Sequence, residues 1–300
     1  MINLNGLYTA LVTPFGKNGN IDFKALEKLI SLQQKAIVSG IVLFGTTGES
    51  PTVNQYEKFK VIDFVSEILN NKTSLIIGAG SNDTSKTINE VKGLSGTKAD
   101  AILLATPAYS KPTANGLYSH FKRVADESYK PIILYNVPSR SGVNIPLEVI
   151  EKLKTHPNII GIKDAGGNMD YSLKLVKLAS NDFILLSGND NLTLPLMSLG
   201  YSGVISVASN FLPNEMNFFV NRIQKGDYKI ARILQNFMLD IMNACFIESN
   251  PIPVKYVMYK LGLIENKLRL PLTPLSAFNR KKIINILKNM QFIGDTLCVE

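Results

Sequence analysis

The 300-residue chain has no tryptophan and only two cysteines and two histidines. Two thiols, Cys245 and Cys298, are too few for a disulfide framework. His120 and His156 stand far apart without cysteines or a carboxylate cluster at metal-ligand spacing, so a metal site is not expected. No apolar run approaches the roughly 18 residues that cross a bilayer. The N-terminus, MINLNGLYTALVTPFG, lacks a basic stretch followed by a long apolar one, so neither a membrane span nor a secretory signal is expected. A cytoplasmic location follows as the expectation. Internal repeats, low-complexity tracts, G-x-G-x-x-G turns and a Walker-type Gly-Lys-Ser/Thr are also missing.

Acidic residues are in deficit: 24 against 32 lysines and arginines, a net charge of +8. A nucleic-acid partner is one reading of such a surplus. The lysines, however, are scattered through helical segments, and the densest run is Asn279-Arg280-Lys281-Lys282. Solvated helix faces explain them, with a mild attraction for small anions, and no nucleic acid is expected.

What is present is alternation. Short apolar or β-branched runs recur at 7–13, 41–44, 75–79, 101–105, 132–136, 159–164, 183–187 and 204–207. Each is too short for a helix, and most are continuously apolar, as parallel strands covered on both faces require. Helical periodicity fills the gaps. Phe59, Ile62, Val65, Ile68 and Leu69 fall on one stripe of a helix over 55–69; Asp22 is placed to cap a helix beginning at Phe23; Pro146 suits the first turn of a helix running through Leu147, Ile150 and Leu153. Eight such units predict an α/β fold, a closed (β/α)8 barrel over residues 1–225. An open doubly wound sheet is the rival, but its glycine-rich dinucleotide turn is missing. From 226 to 300 the pattern is helical only: a stripe of Ile230, Ile233, Leu234, Phe237, Ile241 and Met242, then stretches at 254–261 and 275–290. This predicts an all-helical C-terminal extension.

A β/α barrel builds its site at the C-terminal ends of its strands. Lys163 ends the sixth run, and alternation puts Gly161, Lys163 and Ala165 on one face, with Ile160 and Ile162 on the other. If the isoleucines face the helices, the lysine enters the barrel, where desolvation should lower its pKa. An ordinary lysine is a free amine about once in 2,500 molecules at pH 7, so such a depression would create a nucleophile for ketones. The plain alternative is an ammonium reaching to solvent. Gly45-Thr46-Thr47-Gly48-Glu49-Ser50 can aim N–H groups and hydroxyls at an anion, or simply cap the next helix. Tyr135 can relay protons or pack at the rim, and Arg140 can clamp a carboxylate or lie exposed in its loop. Tyr109, in a proline-bounded loop, can reach a site or anchor an interface. An amine, an anion cradle, phenols and a carboxylate clamp together favour carbonyl chemistry on an acid substrate.

These motifs resemble the dihydrodipicolinate synthase family. TALVTPF, GTTGES, YNVPSRSG, GIKDA, GVISVASN, Asn250–Lys255 (NPIPVK) and LRLPLTPLS occur in order over essentially the whole chain. The resemblance implies condensation of pyruvate with L-aspartate 4-semialdehyde, toward diaminopimelate and lysine. It implies that Lys163 forms the imine and that Tyr135, Thr46 and a Tyr109 from a neighbouring subunit pass protons. Thr47 would hold the pyruvate carboxylate and Arg140 that of the semialdehyde, while Gly188 and Ile205 line the pocket. No metal or organic cofactor is implied, and the assembly would be a homotetramer of two tight dimers. N-acetylneuraminate lyase and keto-deoxy sugar-acid aldolases are sister readings, which usually lack an arginine at the Arg140 position. A basic binding protein that has kept the barrel and lost catalysis is the non-enzymatic one. Lysine-inhibited relatives bind lysine at the tight-dimer interface. Ser50 and Asn82 fit that pattern, but Gln55, Lys58, Lys86 and Ala108 depart from it. Two added cations, Lys58 and Lys86, predict weak or absent lysine feedback.

Overall fold

Along each apolar run, alternate side chains must find cover on opposite faces of a strand, and here both faces have it. The computed structural model describes residues 4–69 and 73–291. Eight strands, β1 (Gly6–Ala10), β2 (Gly40–Leu43), β3 (Ser74–Ala79), β4 (Ala101–Ala105), β5 (Ile132–Asn136), β6 (Ile159–Asp164), β7 (Ile184–Ser187) and β8 (Gly203–Ser206), pair in parallel, each with the next. β8 returns to β1 with Gly6 opposite Gly203, so the barrel is closed. Outward residues such as Ile41, Leu75, Leu104, Leu134, Ile162 and Val204 join the core between strands and helices. Tyr8, Val42, Ile76, Leu103, Ile133, Tyr135, Leu186 and Ile205 fill the interior.

The covering helices are α1 (Phe23–Lys35), α2 (Gln55–Ile68), α3 (Thr84–Gly93), α4 (Ala114–Glu127), the single turn α5 (Pro138–Ser141), α6 (Leu147–Leu153), α7 (Met169–Leu175), α8 (Thr193–Ser198) and α9 (Pro213–Gln224). Asp22 caps α1 as expected, accepting from the Ala25 N–H at 2.9 Å. Asn54 and Glu57 form a reciprocal capping box on α2. Each such cap contributes about 1 kcal/mol. Pro146 lies one position earlier than expected: its backbone is extended, and α6 begins after it.

Three further helices follow, α10 (Tyr228–Ala244), α11 (Ile252–Lys260) and α12 (Ala277–Gln291). They are the predicted C-terminal helices, and α10 packs against α8, α9 and α12. Its core-facing side keeps Leu234, Phe237, Ile241 and Met242 of the expected stripe and departs from it at Ile233. Ala231, Gln235, Met238, Ile241 and Met242 face inward, whereas Ile233 is 57 % exposed. Spacings of four, three and four residues from Ala231 to Met242 define that face, and Gln235 is tolerated there because its amide donates to the Asn191 carbonyl at 2.8 Å.

Two strand details also differ. β1 ends at Ala10, short of the expected Thr13, because the next groups bond elsewhere: the Val12 N–H donates to Asn210 Oδ1 at 3.0 Å and the Thr13 hydroxyl to the Gly48 carbonyl at 2.7 Å. In β6 the register against β5 slips: Ile132 pairs with Ile159, but Ile133 pairs with Gly161. The extra residue, Ile160, packs against the interior cluster instead of facing the helices with Ile162. No helix among the described residues is long and apolar enough to cross a membrane.

Candidate active site

Downstream of that slip, Tyr135 pairs with Lys163 and Lys163 with Leu186, so all three point into the barrel. Lys163 is buried, 6 % exposed, and its Nζ lies 4.4 Å from the centroid of the Tyr135 ring. The ring face is a favourable surface for a cation and leaves the Tyr135 hydroxyl for other partners. Thr106, at the end of β4, bonds the Tyr135 carbonyl through both its hydroxyl (2.7 Å) and its N–H (3.2 Å), which holds this strand end.

Asp164 follows Lys163 and turns to the opposite face, where it is buried and accepts from four donors. Asn136 Nδ2 (3.1 Å) and the Gly166 N–H (3.0 Å) reach Oδ1, and the hydroxyls of Ser172 (2.8 Å) and Tyr201 (3.2 Å) reach Oδ2. A carboxylate with four donors is a rigid anchor. Burial, reinforced by the Asp164 charge, pushes the Tyr201 and Tyr171 phenols far above their usual range.

Gly188 follows β7, and its N–H donates to the Asp164 carbonyl at 2.7 Å. A Cβ at this position would lie 2.5 Å from Ala165 Cβ and 3.0 Å from Lys163 Cε, so only glycine leaves room for the lysine stem. Two residues on, Asp190 is buried and accepts from the N–H groups of Val207 (3.0 Å) and Ala208 (2.9 Å). Burial holds its carboxyl above the usual range, against those bonds and the charge of Lys163. Ile205, on β8, is fully buried in the interior cluster.

Thr46 and Thr47 lie in a 3₁₀ turn after β2, Thr46–Gly48. Thr47 is buried, and its hydroxyl accepts from Asn250 Nδ2 at 2.9 Å. The turn is followed by Glu49 in a left-handed conformation, φ 53°. Arg140 is exposed at the end of α5. It donates to Ser249 Oγ (2.9 Å) and to the Asn250 carbonyl (3.1 Å), so Asn250 connects Arg140 with Thr47. Tyr109 is 91 % exposed, with φ 72°, and stands outside these contacts.

Of the residues expected from the sequence, Tyr135 and Gly188 lie against Lys163, Thr47 and Arg140 share Asn250, and Tyr109 stands apart; the residues that hold them had not been expected. Asp164, Asp190, Thr106, Ser249 and Asn250 were given no roles, although GIKDA and NPIPVK were visible as motifs. The two added cations expected to repel lysine are not equivalent. Lys58 pairs with Glu90 at 2.9 Å, so of the two added cations it is already neutralised, while Lys86 is exposed. Cys245 is buried beneath this end of the barrel, burial raising its thiol pKa well above the usual range, and Cys298 lies outside the described residues.

The whole chain has relatives. The dihydrodipicolinate synthetase family model matches residues 3–290. The 4-hydroxy-tetrahydrodipicolinate synthase of Methanosarcina mazei is 44 % identical over 286 residues, 95 % of this chain and 98 % of that protein. Among solved structures, the dihydrodipicolinate synthase of Thermotoga maritima superposes with a TM-score of 0.93 at 40 % identity, covering 96 % of this chain and 99 % of that one. That of Acinetobacter baumannii, solved in complex with pyruvate, gives 0.94 at 39 %, covering 97 % and 100 %. With its closed barrel, buried strand-end lysine and full-length similarity, the chain belongs to the dihydrodipicolinate synthetase family.

Proposed function

We propose that this protein is a lyase of the class I aldolase type that condenses pyruvate with L-aspartate 4-semialdehyde to 4-hydroxy-tetrahydrodipicolinate, a step in diaminopimelate and lysine biosynthesis. The observation that carries the reading is Lys163, buried at the end of β6 against the Tyr135 ring.

In this reading the Lys163 Nζ adds to C2 of pyruvate, and water leaves to give an iminium. The iminium acidifies the adjacent methyl group, and loss of a proton gives an enamine. That carbon then attacks the aldehyde carbon of the semialdehyde, whose oxygen takes a proton. The amino group of the second substrate next displaces Lys163 from C2, closing the ring and freeing the enzyme. One water is lost overall, and no external oxidant or reductant is consumed.

Tyr135 carries protons to and from the C2 oxygen, a role that its ring beside Lys163 supports. Thr46, and a Tyr109 supplied by a neighbouring subunit, complete the relay. The exposure of Tyr109, 91 %, supports such a use, since it leaves the side chain open to a neighbouring subunit. Thr47 holds the pyruvate carboxylate, and Arg140, tethered by Ser249 and Asn250, receives the carboxylate of the semialdehyde. Gly188 and Ile205 shape the floor around Lys163. We place the enzyme in the cytoplasm as a homotetramer of tight dimers, the dimer being needed to bring Tyr109 to its site.

The test has two parts. Turnover of pyruvate and aspartate 4-semialdehyde is followed by coupled reduction of the product, and the imine is trapped with borohydride and mapped to Lys163. Turnover with a trapped Lys163 is expected. A protein that traps pyruvate but ignores the semialdehyde belongs with the sugar-acid aldolases, and one that traps nothing is no Schiff-base enzyme.

A further inference from the structure

A second buried lysine, which the proposed chemistry does not consume, lies in the C-terminal helices. Lys255, on α11, is completely buried and forms an ion pair with Glu49, whose side chain is equally inaccessible. The Lys255 Nζ also donates to the Lys267 carbonyl at 3.1 Å and lies 4.2 Å from the centroid of the Phe15 ring. Arg269 closes the far side. Its backbone N–H donates to Glu49 Oε2 at 3.1 Å, and its guanidinium lies 4.4 Å from the same Phe15 ring and forks onto Glu57. Glu49, Lys255 and Arg269 are thus the charged groups that face one another here, with Glu57 compensating Arg269.

A buried ion pair is a poor way to gain stability, because desolvation consumes most of the attraction. Position suggests what this one does. Glu49 directly follows the Thr46–Gly48 turn, and its left-handed backbone is unfavourable for a residue with a Cβ. A side chain tied to α11 and to Arg269 holds that conformation in place.

Resting on the function proposed above, we infer that Lys255 and Arg269 act through Glu49 as positioning residues for pyruvate, fixing the turn that presents Thr46 and Thr47. The C-terminal helices are then part of the site rather than an appendage to it. Burial pushes the Lys255 ammonium down to about 8, against the attraction of Glu49. Above that pH the pair loses its cation and the turn its restraint.

The experiment measures KM for pyruvate, kcat and borohydride trapping from pH 6.5 to 9.5 in the wild type, in Glu49→Gln and in the charge-free pair Glu49→Gln/Lys255→Met. Folding is checked by circular dichroism. Both variants are expected to trap pyruvate on Lys163 at saturation, with KM raised about tenfold and kcat changed far less. In the wild type KM is expected to climb above pH 8, and in the variants to lose that climb. An active wild type whose folded variants keep the parental KM overturns this inference alone. If neither variant folds, the wild-type profile decides, and a flat KM through pH 9.5 overturns it. A wild type that traps no pyruvate sinks the proposed function, and this inference with it.

Discussion

Lys163 Nζ sits 4.4 Å from the centre of the Tyr135 ring, with the two residues paired across β5 and β6. In the proposed mechanism Tyr135 is both a wall and a hydroxyl carrier for the amine, and the two roles separate by mutation. Tyr135→Phe keeps the ring and removes the hydroxyl. The expected result is a folded enzyme with an unchanged melting temperature and a kcat lowered by about 10² to 10⁴-fold, the usual range for losing a general acid–base group. Lys163→Ala is expected to abolish borohydride trapping altogether. Trapped pyruvate in that variant would remove Lys163 from the mechanism.

Gly188 leaves the space that Lys163 occupies. In Gly188→Ala the new methyl would lie 3.0 Å from Lys163 Cε and closer still to Ala165 Cβ, so the lysine or the β7 end must shift. Overpacking of this kind costs about 1–3 kcal/mol, read as a lower melting temperature. The sharper readout is the rate of imine formation at saturating pyruvate, expected to fall by more than stability alone explains. An unchanged trapping rate would show that Gly188 does not constrain the lysine.

Asp164 gathers four donors from β5, the β6–α7 connection, α7 and the segment before β8. Asp164→Ala removes the shared acceptor, though Ser172 can still donate to the Asn168 carbonyl and Asn136 to Asn144, and the expected loss is about 3 kcal/mol, since one unsatisfied buried group costs about 1–3. Chemical denaturation measures it. Asp164→Asn keeps the shape and part of the acceptor capacity, so its loss is expected to be smaller.

How much of this could be read beforehand depended on range. The eight strands were legible because continuous runs such as 101–105 and 132–136 are local signals, and both match strand bounds. The inward place of Lys163 near the end of β6 was legible because strand alternation is a local signal. The slip at Ile160 was not, because strict alternation assumes an unbroken ladder, and the bulge moved one isoleucine inward. On α10 the stripe was legible at Leu234, Phe237, Ile241 and Met242 but not at Ile233, which is exposed, nor at Met238, which is buried, because only packing against α8 and α9 selects the exact face. The support of Thr47 by Asn250 spans 203 residues, a distance at which no local pattern carries information.

The expectation of weak lysine feedback is altered by the pairing of Lys58. With Lys58 paired to Glu90, the net added charge rests on the exposed Lys86. Feedback by lysine is still expected to be weak, with an inhibition constant above about 1 mM. Lys86→Glu is then expected to tighten inhibition several-fold, whereas Lys58→Ala, which frees Glu90 as well, acts through that carboxylate. Inhibition of the parent enzyme below a millimolar would refute the charge argument.

His120 sets an acid limit on the fold. It is buried on α4, with Nδ1 2.9 Å from the Thr84 hydroxyl at the start of α3, and burial pushes its imidazole down to about 4. In the unfolded chain it titrates near 6.5. Between these values the unfolded state binds the additional proton, so stability falls as pH falls from about 6.5 to 4. The contribution is on the order of 2 kcal/mol, discounted for partial solvent access to the ring. His120→Gln cannot titrate and can still meet the Thr84 hydroxyl. Urea denaturation at pH 7 and pH 4.5 is expected to show a larger drop for the wild type than for the variant. Carboxylates elsewhere contribute equally to both proteins and cancel in the comparison, so equal drops would mean that His120 is already charged in the folded state.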